Sequence, residues 1–468
     1  MSEMHLSKNN VDLADYDLEE DIERRQLLAD LDQTSFEVLE EILFSPVKFP
    51  LKRLMANLSL NKKEIEPILE RLMNTHLLSV EEEDVIVNKE MRKTYENEID
   101  KFEAVPGIES FRAMLRRVPI HILPNWFAIP RSSDNIFDSI IDKVLLTPQK
   151  FQRYLLELNF SDPIIGQIIQ DINQSDNYMV PSSILIEKYN LSQERLEEIM
   201  IYLEFSCVCC LTYERKGDHW HEMVSFFKEW RDYLLYLKKS QNAVIKDLSN
   251  LRPTRPSDFA FVEDMSTLLN ISTTDPIALP MDASEMTRIA QRCGGFNLAA
   301  KDGIPKFHAY LDRLIQKLTK LQLAMIQNDQ LVPTKDGREW LTMAIDKRAL
   351  ELYRHPLNHM QSPDFEDALL SHVRAAEKCI APVITSGWID LETFLEGAAV
   401  PLGDESIVKL EKKGCHWRYT LPSYTDKEKQ FLAKVVTEWL FEMGITATAT
   451  IDNRPCFKVT PFGRSFYD

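Results

Sequence analysis

The chain has 468 residues, a formal charge of −18 and 44% hydrophobic residues. That length implies about three or four compact modules rather than one core, and no apolar run approaches the roughly 20 residues of a membrane-spanning helix. The charge is uneven: residues 241–468 carry 27 Lys and Arg against 30 Asp and Glu, leaving 28 against 43 in residues 1–240. The N-terminal half therefore repels phosphate backbones and suits a protein partner, while any nucleic-acid surface belongs in the C-terminal half. Seven cysteines, an odd number in a long chain, point to a reducing cytoplasm. The acidic start lacks the apolar segment of a signal peptide.

Residues 1–29 read as an acidic leader, with seven carboxylates between Asp12 and Glu23, expected to be disordered or loosely helical. A first module spans 30–104. Asp32 or Thr34 can cap a helix bearing Phe36, Leu39, Ile42 and Leu43, and Leu51–Leu58 gives a second. The stretch SLNKKEIEPILERLMNTHLLSVEEEDVIV (Ser59–Val87) places Ile65, Ile68, Leu69, Leu72 and Met73 at helical spacing, then two short strands around an acidic turn. A helix running into a hairpin is the second half of a winged helix. Pro67 predicts that this helix starts near Glu64, so that the proline falls in its first turn. Residues 105–146 form a proline-punctuated helical connector, in which Trp126 and Phe127 are expected in a core.

The pattern recurs in a second module, 147–239, where NLSQERLEEIMIYLEF matches SLNKKEIEPILERLMN. Residues 240–280 are rich in Pro, Ser and Thr and read as a linker. A third module covers 281–358: helix Ala283–Cys293 stopped by Gly294-Gly295, helix Pro305–Leu321, and a wing ending in LVPTKDGREWL. A fourth covers 363–468. The expected fold is mainly α with small β-hairpins (α+β), as tandem winged-helix modules in two pairs.

Both C-terminal modules carry one signature, Thr334 before Gly337-Arg338 and Thr460 before Gly463-Arg464, 126 residues later. Threonine there caps the helix leaving the wing, and glycine lets that helix approach the sheet. These T-x-x-G-R endings, with Trp340 and Leu341 completing GREWL, resemble the winged-helix tail of bacterial helicase-associated proteins. That family is similar to the accessory N-terminal region of XPB-type DNA helicases. The resemblance covers about residues 140–468 and implies a helicase or transcription component as partner. No G-x-x-x-x-G-K-[ST] phosphate loop is present, so what it implies is the accessory part without the motor.

Cys207, Cys209 and Cys210 precede His219 and His221 in a hairpin. With the turn at Lys216-Gly217, His219 faces Glu214, His221 faces Thr212 and Cys210 faces Met223. Cysteines and histidines then sit at opposite ends, which favours small buried cysteines over a zinc site. G-x-S-x-G is absent, ten scattered histidines single out no base, and no cofactor motif appears, so the chain reads as a non-enzyme. For DNA, the basic third helix of module three supplies Lys306, Arg313, Gln316, Lys317 and Lys320, joined by Arg338 and Arg464. The expected function is a cytoplasmic interaction protein of DNA metabolism or transcription that docks a protein and touches DNA weakly through module three. A sequence-specific regulator and a protein–protein adaptor without nucleic-acid contact are the alternatives.

Overall fold

A computed structural model describes residues 11–13, 16, 18–29, 31–130, 135–160, 162–293, 303–360, 370–414 and 416–467. They fall into two units, Met1–Leu235 with Val408–Thr420, and Tyr236–Ile407 with Leu421–Asp468. Each unit mixes helices with small antiparallel sheets.

One element order occurs four times: helix, short strand, helix, helix, hairpin. In repeat one these are Gln33–Phe44, Lys48–Pro50, Leu51–Leu58, Lys62–Asn74 and Leu78–Glu81 with Asp84–Val87. Repeat two runs Pro163–Gln174, Met179–Pro181, Ser182–Tyr189, Gln193–Phe205 and Cys209–Lys216 with His219–Phe226. Repeat three runs Ala260–Thr274, Ile277–Ala278, Ala283–Cys293, Gly303–Lys320 and Ala324–Gln327 with Gln330–Pro333. Repeat four starts with Leu370–Glu377, then Ile389–Asp390 and Leu391–Glu396. Its third helix runs from Asp426 to Glu442 through a π segment at Val435–Trp439, before Thr446–Ile451 and Arg454–Val459. The sheet of each repeat places the second hairpin strand between the first strand and the first hairpin strand.

Local chemistry sets these boundaries. Asp32, Thr147 and Ser192 accept from backbone amides as N-caps. Asn61 with Glu64, and Thr425 with Glu428, form reciprocal capping boxes. Each third helix ends on a left-handed residue, His76, Cys207, Gln322 or Gly444, which turns the chain into the hairpin. The capping of the exit helices is as the signature predicts. Thr334 Oγ1 accepts from Gly337 N–H at 3.0 Å and Thr460 Oγ1 from Gly463 N–H at 2.9 Å. A Cβ on Gly337 would lie 2.0 Å from Leu323 O, and one on Gly463 2.3 Å from Ile445 O.

Trp126 and Phe127 are buried, as expected. Several boundaries differ. Residues 18–29, assigned to a disordered leader, form the helix Leu18–Ala29, which buries Asp21, Ile22, Arg24, Arg25 and Leu28. Residues 240–280, read as a linker, hold the central helix of unit two: Phe261, Met265, Leu268 and Leu269 of Ala260–Thr274 are fully buried. The prolines and hydroxyls that suggested a linker instead flank this helix or bond back to its own carbonyls, as Ser266 and Ser272 do. Module four is interrupted, because the hairpin Leu410–Lys413 with His416–Tyr419 belongs to unit one, where Leu410 N–H donates to Leu146 O. The third helix of repeat one starts at Lys62, so Pro67 lies inside it and removes one amide from its ladder. Gly294-Gly295 and residues 363–369 lie outside the described residues.

Substituting Gly337 by Ala is expected to cost about 1–3 kcal/mol, because Leu323 O blocks the added carbon. Gly166→Ala, in an exposed helix interior with nothing within 4 Å of the new carbon, should gain about 0.5–1 kcal/mol. Urea denaturation of the two variants checks the opposite signs.

Candidate functional site

The third helices are where the sequence places the chemistry, and in repeat three that helix carries the basic residues. Phe307, Leu311, Leu314, Ile315 and Leu318 anchor it in the core of unit two. Arg313 is half-buried and Lys317, one turn on, is buried. They meet the third helix of repeat four. Lys317 is 4% exposed, with Nζ 3.0 Å from Glu442 Oε2, 2.5 Å from Asn358 Oδ1 and 4.9 Å from the centre of the Trp439 ring. Arg313 lies 3.0 Å from Glu438 and 3.4 Å from Glu442. The Trp439 indole is itself fixed by donating to Glu377 at 2.6 Å.

This geometry corrects the expected basic stripe: its two central cations neutralise carboxylates of the same unit. Hydrophobic spacing could not show this, because it does not say which helix a charged face meets. Gln316 and Lys306 are exposed and Lys320 is half-buried. Arg338 and Arg464 stand exposed on the exit helices of repeats three and four.

Those two arginines belong to a set the sequence signature only half revealed. Arg92, Arg231, Arg338 and Arg464 each donate their backbone N–H to the residue that opens the exit helix: Asn88, Phe227, Thr334 or Thr460. In unit one the side chains close the repeat, Arg92 donating to Ile42 O and Pro46 O and Arg231 to Asn177 O. Among the described residues Arg338 and Arg464 have no side-chain partner. Asparagine and phenylalanine in place of threonine hid the first two copies.

In unit one the third helix of repeat two is also covered. Arg25 of Leu18–Ala29 lies 2.5 Å from Glu204 and 3.4 Å from Asp21. Lys101 pairs with Glu98 at 2.7 Å and reaches Glu204 at 3.5 Å, and Arg117 pairs with Glu98 at 2.9 Å. Burial alone would raise the Asp21 and Glu98 carboxyls. Arg25 and Arg24 hold Asp21 below its ordinary value, and Lys101 and Arg117 hold Glu98 well below. Glu197 and Glu222 are pushed up by burial, Glu197 also by its neighbour Glu222, and Gln193 Nε2 donates to both. Repeat one also keeps an open third-helix face, where Lys62, Lys63 and Arg71 are balanced by Glu64, Glu66 and Glu70.

Two cavities of about 150 and 430 Å3 adjoin this cluster, sharing Lys101, Pro106, Glu109 and Ser110 in their walls. The second is lined by Glu229, whose carboxylate accepts from Ile108 N–H at 3.1 Å and caps a helix that Gly107 cannot cap. Burial raises Glu229 to about 7. The cysteine–histidine hairpin turns at Gly217-Asp218, so Lys216 pairs with His219, Glu214 with His221 and Cys210 with Ser225. The register is shifted by two from the sequence expectation, and cysteines and histidines still occupy opposite ends. Among the described residues no group of three or more His, Cys, Asp or Glu is placed to hold a metal. Comparison with family models, curated proteins and solved structures finds no match.

Lys317→Met should cost about 3 kcal/mol by leaving Glu442 buried with only the half-buried Arg313 as its cation, and adding Glu442→Gln should restore most of it. Additive losses in thermal melts of the single and double variants would contradict the coupling. Glu229 carries a pH signature. Its folded value is raised from 4.5 to about 7, so the folded chain keeps a proton that the unfolded chain releases. Stability should therefore fall by about 3 kcal/mol as pH rises from about 4.5 through 7. Glu229→Gln should flatten that limb of a stability–pH curve.

Proposed function

We propose that the four repeats are winged-helix modules and that the chain is a non-catalytic adaptor, which docks a protein partner without reading DNA through its third helices. The observation that carries this reading is the pairing of Arg313 and Lys317 with Glu438 and Glu442. A major-groove helix needs free cations and polar groups along its outer face. Here the basic third helix packs against another third helix of its own unit, that of repeat two is closed by Arg25, and the open one in repeat one is neutral. The acidic balance of the N-terminal half favours a protein surface over phosphate. The helicase-associated resemblance names the class of partner within this reading, a helicase-type motor or transcription component, and the compartment is the cytoplasm.

Weak phosphate contact through Lys306, Gln316, Lys320, Arg338 and Arg464 is the second reading. It is favoured by the exposed, unpartnered guanidiniums of Arg338 and Arg464. A duplex-DNA titration of the full chain at two salt concentrations decides between them, beside a Lys306/Lys320/Arg338/Arg464→Ala variant. The adaptor reading expects no binding even at low salt, where electrostatic attraction is strongest. Salt-sensitive binding that the variant loses would overturn it.

A further inference from the structure

In repeats one to three the first hairpin strand is the sheet's outer strand, with backbone groups turned away from its neighbour, and in repeat four one added strand lies beyond it. Such an edge is a template for another strand unless it is charged, covered or paired. Repeat one charges it: the strand ends in Glu81, and Glu82 and Glu83 form the turn. Repeat two covers it: Leu211 N–H donates to Glu204 Oε1 at 3.0 Å and Thr212 Oγ1 to Lys101 O at 2.9 Å. Repeat four pairs it. Leu251–Pro253 adds antiparallel to Thr446–Ile451, and Thr254 N–H donates to Thr448 O at 2.9 Å.

Repeat three does none of these. Ile326 is the fourth residue after the left-handed Gln322, the position Leu211 holds after Cys207 and Thr448 after Gly444. Its partner across the hairpin, Leu331, is also registered with Ile277 on the far side of the sheet. The N–H and C=O of Ile326 therefore point outward, and no strand among the described residues pairs there. The strand Ala324–Gln327 has no charge and no proline, and Met325 and Ile326 are 49% and 55% exposed. They flank a groove of about 490 Å3, whose walls include Thr319, Thr334 and Lys335.

We propose that this edge is the docking site of the adaptor, where an extended segment of a partner protein adds antiparallel to Ala324–Gln327 as a further strand, as Leu251–Pro253 does on repeat four. The segment carries apolar side chains for Met325 and Ile326 and an acidic residue. The acidic residue follows from Lys320, next to Thr319 in the groove wall, and from Arg338, one turn along the helix from Lys335, whose own ammonium lies 3.6 Å from Glu339. Lys320 and Arg338 have no partner among the described residues, and Asp336 is the one acid in the wall. A second copy of this chain fits less well. Edge-to-edge self-pairing spans four residues, about 13 Å, far from the ~1,200 Å2 of a stable interface. The inference rests on the adaptor reading.

The test is selection of peptides from a displayed random decapeptide library on the full chain, followed by titration of the selected peptides. They should alternate apolar residues, contain Asp or Glu, and bind Ile326→Pro at least about tenfold more weakly. Proline removes an edge amide that bonds nothing within the fold, so the melting temperature of this variant should stay close to the parent's. Ile326→Lys provides a second block should proline disturb the hairpin. N-methylation of alternate peptide amides should abolish binding, and Lys320→Glu/Arg338→Glu should weaken it. Equal binding to parent and edge variants, or selection of no peptide, overturns the proposal. So does self-association of the parent chain that Ile326→Pro removes, which would place a second copy on the edge. None of these outcomes bears on the DNA titration, by which the adaptor reading stands or falls separately.

Discussion

Everything the third helix of repeat three can do is limited by one contact, Lys317 held between Glu442, Asn358 and the face of Trp439. A buried ammonium is costly unless opposite charge and hydrogen bonds surround it. Here all three arrive from elements distant in sequence, and Arg313 adds a second cation to the same carboxylates. The pairing fixes two third helices against one another and withdraws Lys317 and Glu442 from external use. A helix that reads as a nucleic-acid probe in isolation becomes an internal strut.

Unit one reaches the same end with more charges. Leu18–Ala29 contributes Asp21, Arg24 and Arg25, the exit helix of repeat one contributes Glu98 and Lys101, and the third helix of repeat two contributes Glu197 and Glu204. Like charges are separated by opposite ones, and burial pushes the Glu197 and Glu222 carboxyls up. Removing any one member strands its neighbours without solvent, so the cluster ties three elements into one cooperative body. Aromatic packing follows the same seam: Phe102 stacks on Tyr213 at 3.9 Å and meets Trp220 edge-on.

The repeats also differ in how they end. The exit arginine bonds back to the first helix or the loop after it in repeats one and two and has no side-chain partner among the described residues in repeats three and four. The hairpin edge is guarded, covered or paired everywhere except in repeat three. Departures from a shared pattern are informative because the fold itself does not require them. Repeat three combines the free edge, the free arginine and exposed Met325 and Ile326, which concentrates the surface available to a partner on one module.

The sequence by itself determined the element types and their order. Helical spacing in Lys62–Asn74 and Gly303–Lys320, caps at Asp32 and Thr334, and the close-approach glycines Gly337 and Gly463 all act within a few residues, so they are legible locally. It misjudged segments whose local composition is polar but whose neighbours are not. Residues 18–29 fold because Glu204 and Arg117, far along the chain, complete their charges. Residues 260–274 are a core helix because two repeats close around Phe261 and Leu268. The candidate site was legible as a list of residue types and not as a surface. Whether Lys317 meets solvent or Glu442 depends on a contact 125 residues away, and charge in a sequence carries no record of its partner. Tertiary structure alone decided which helix faces are covered and which strand edge is left open.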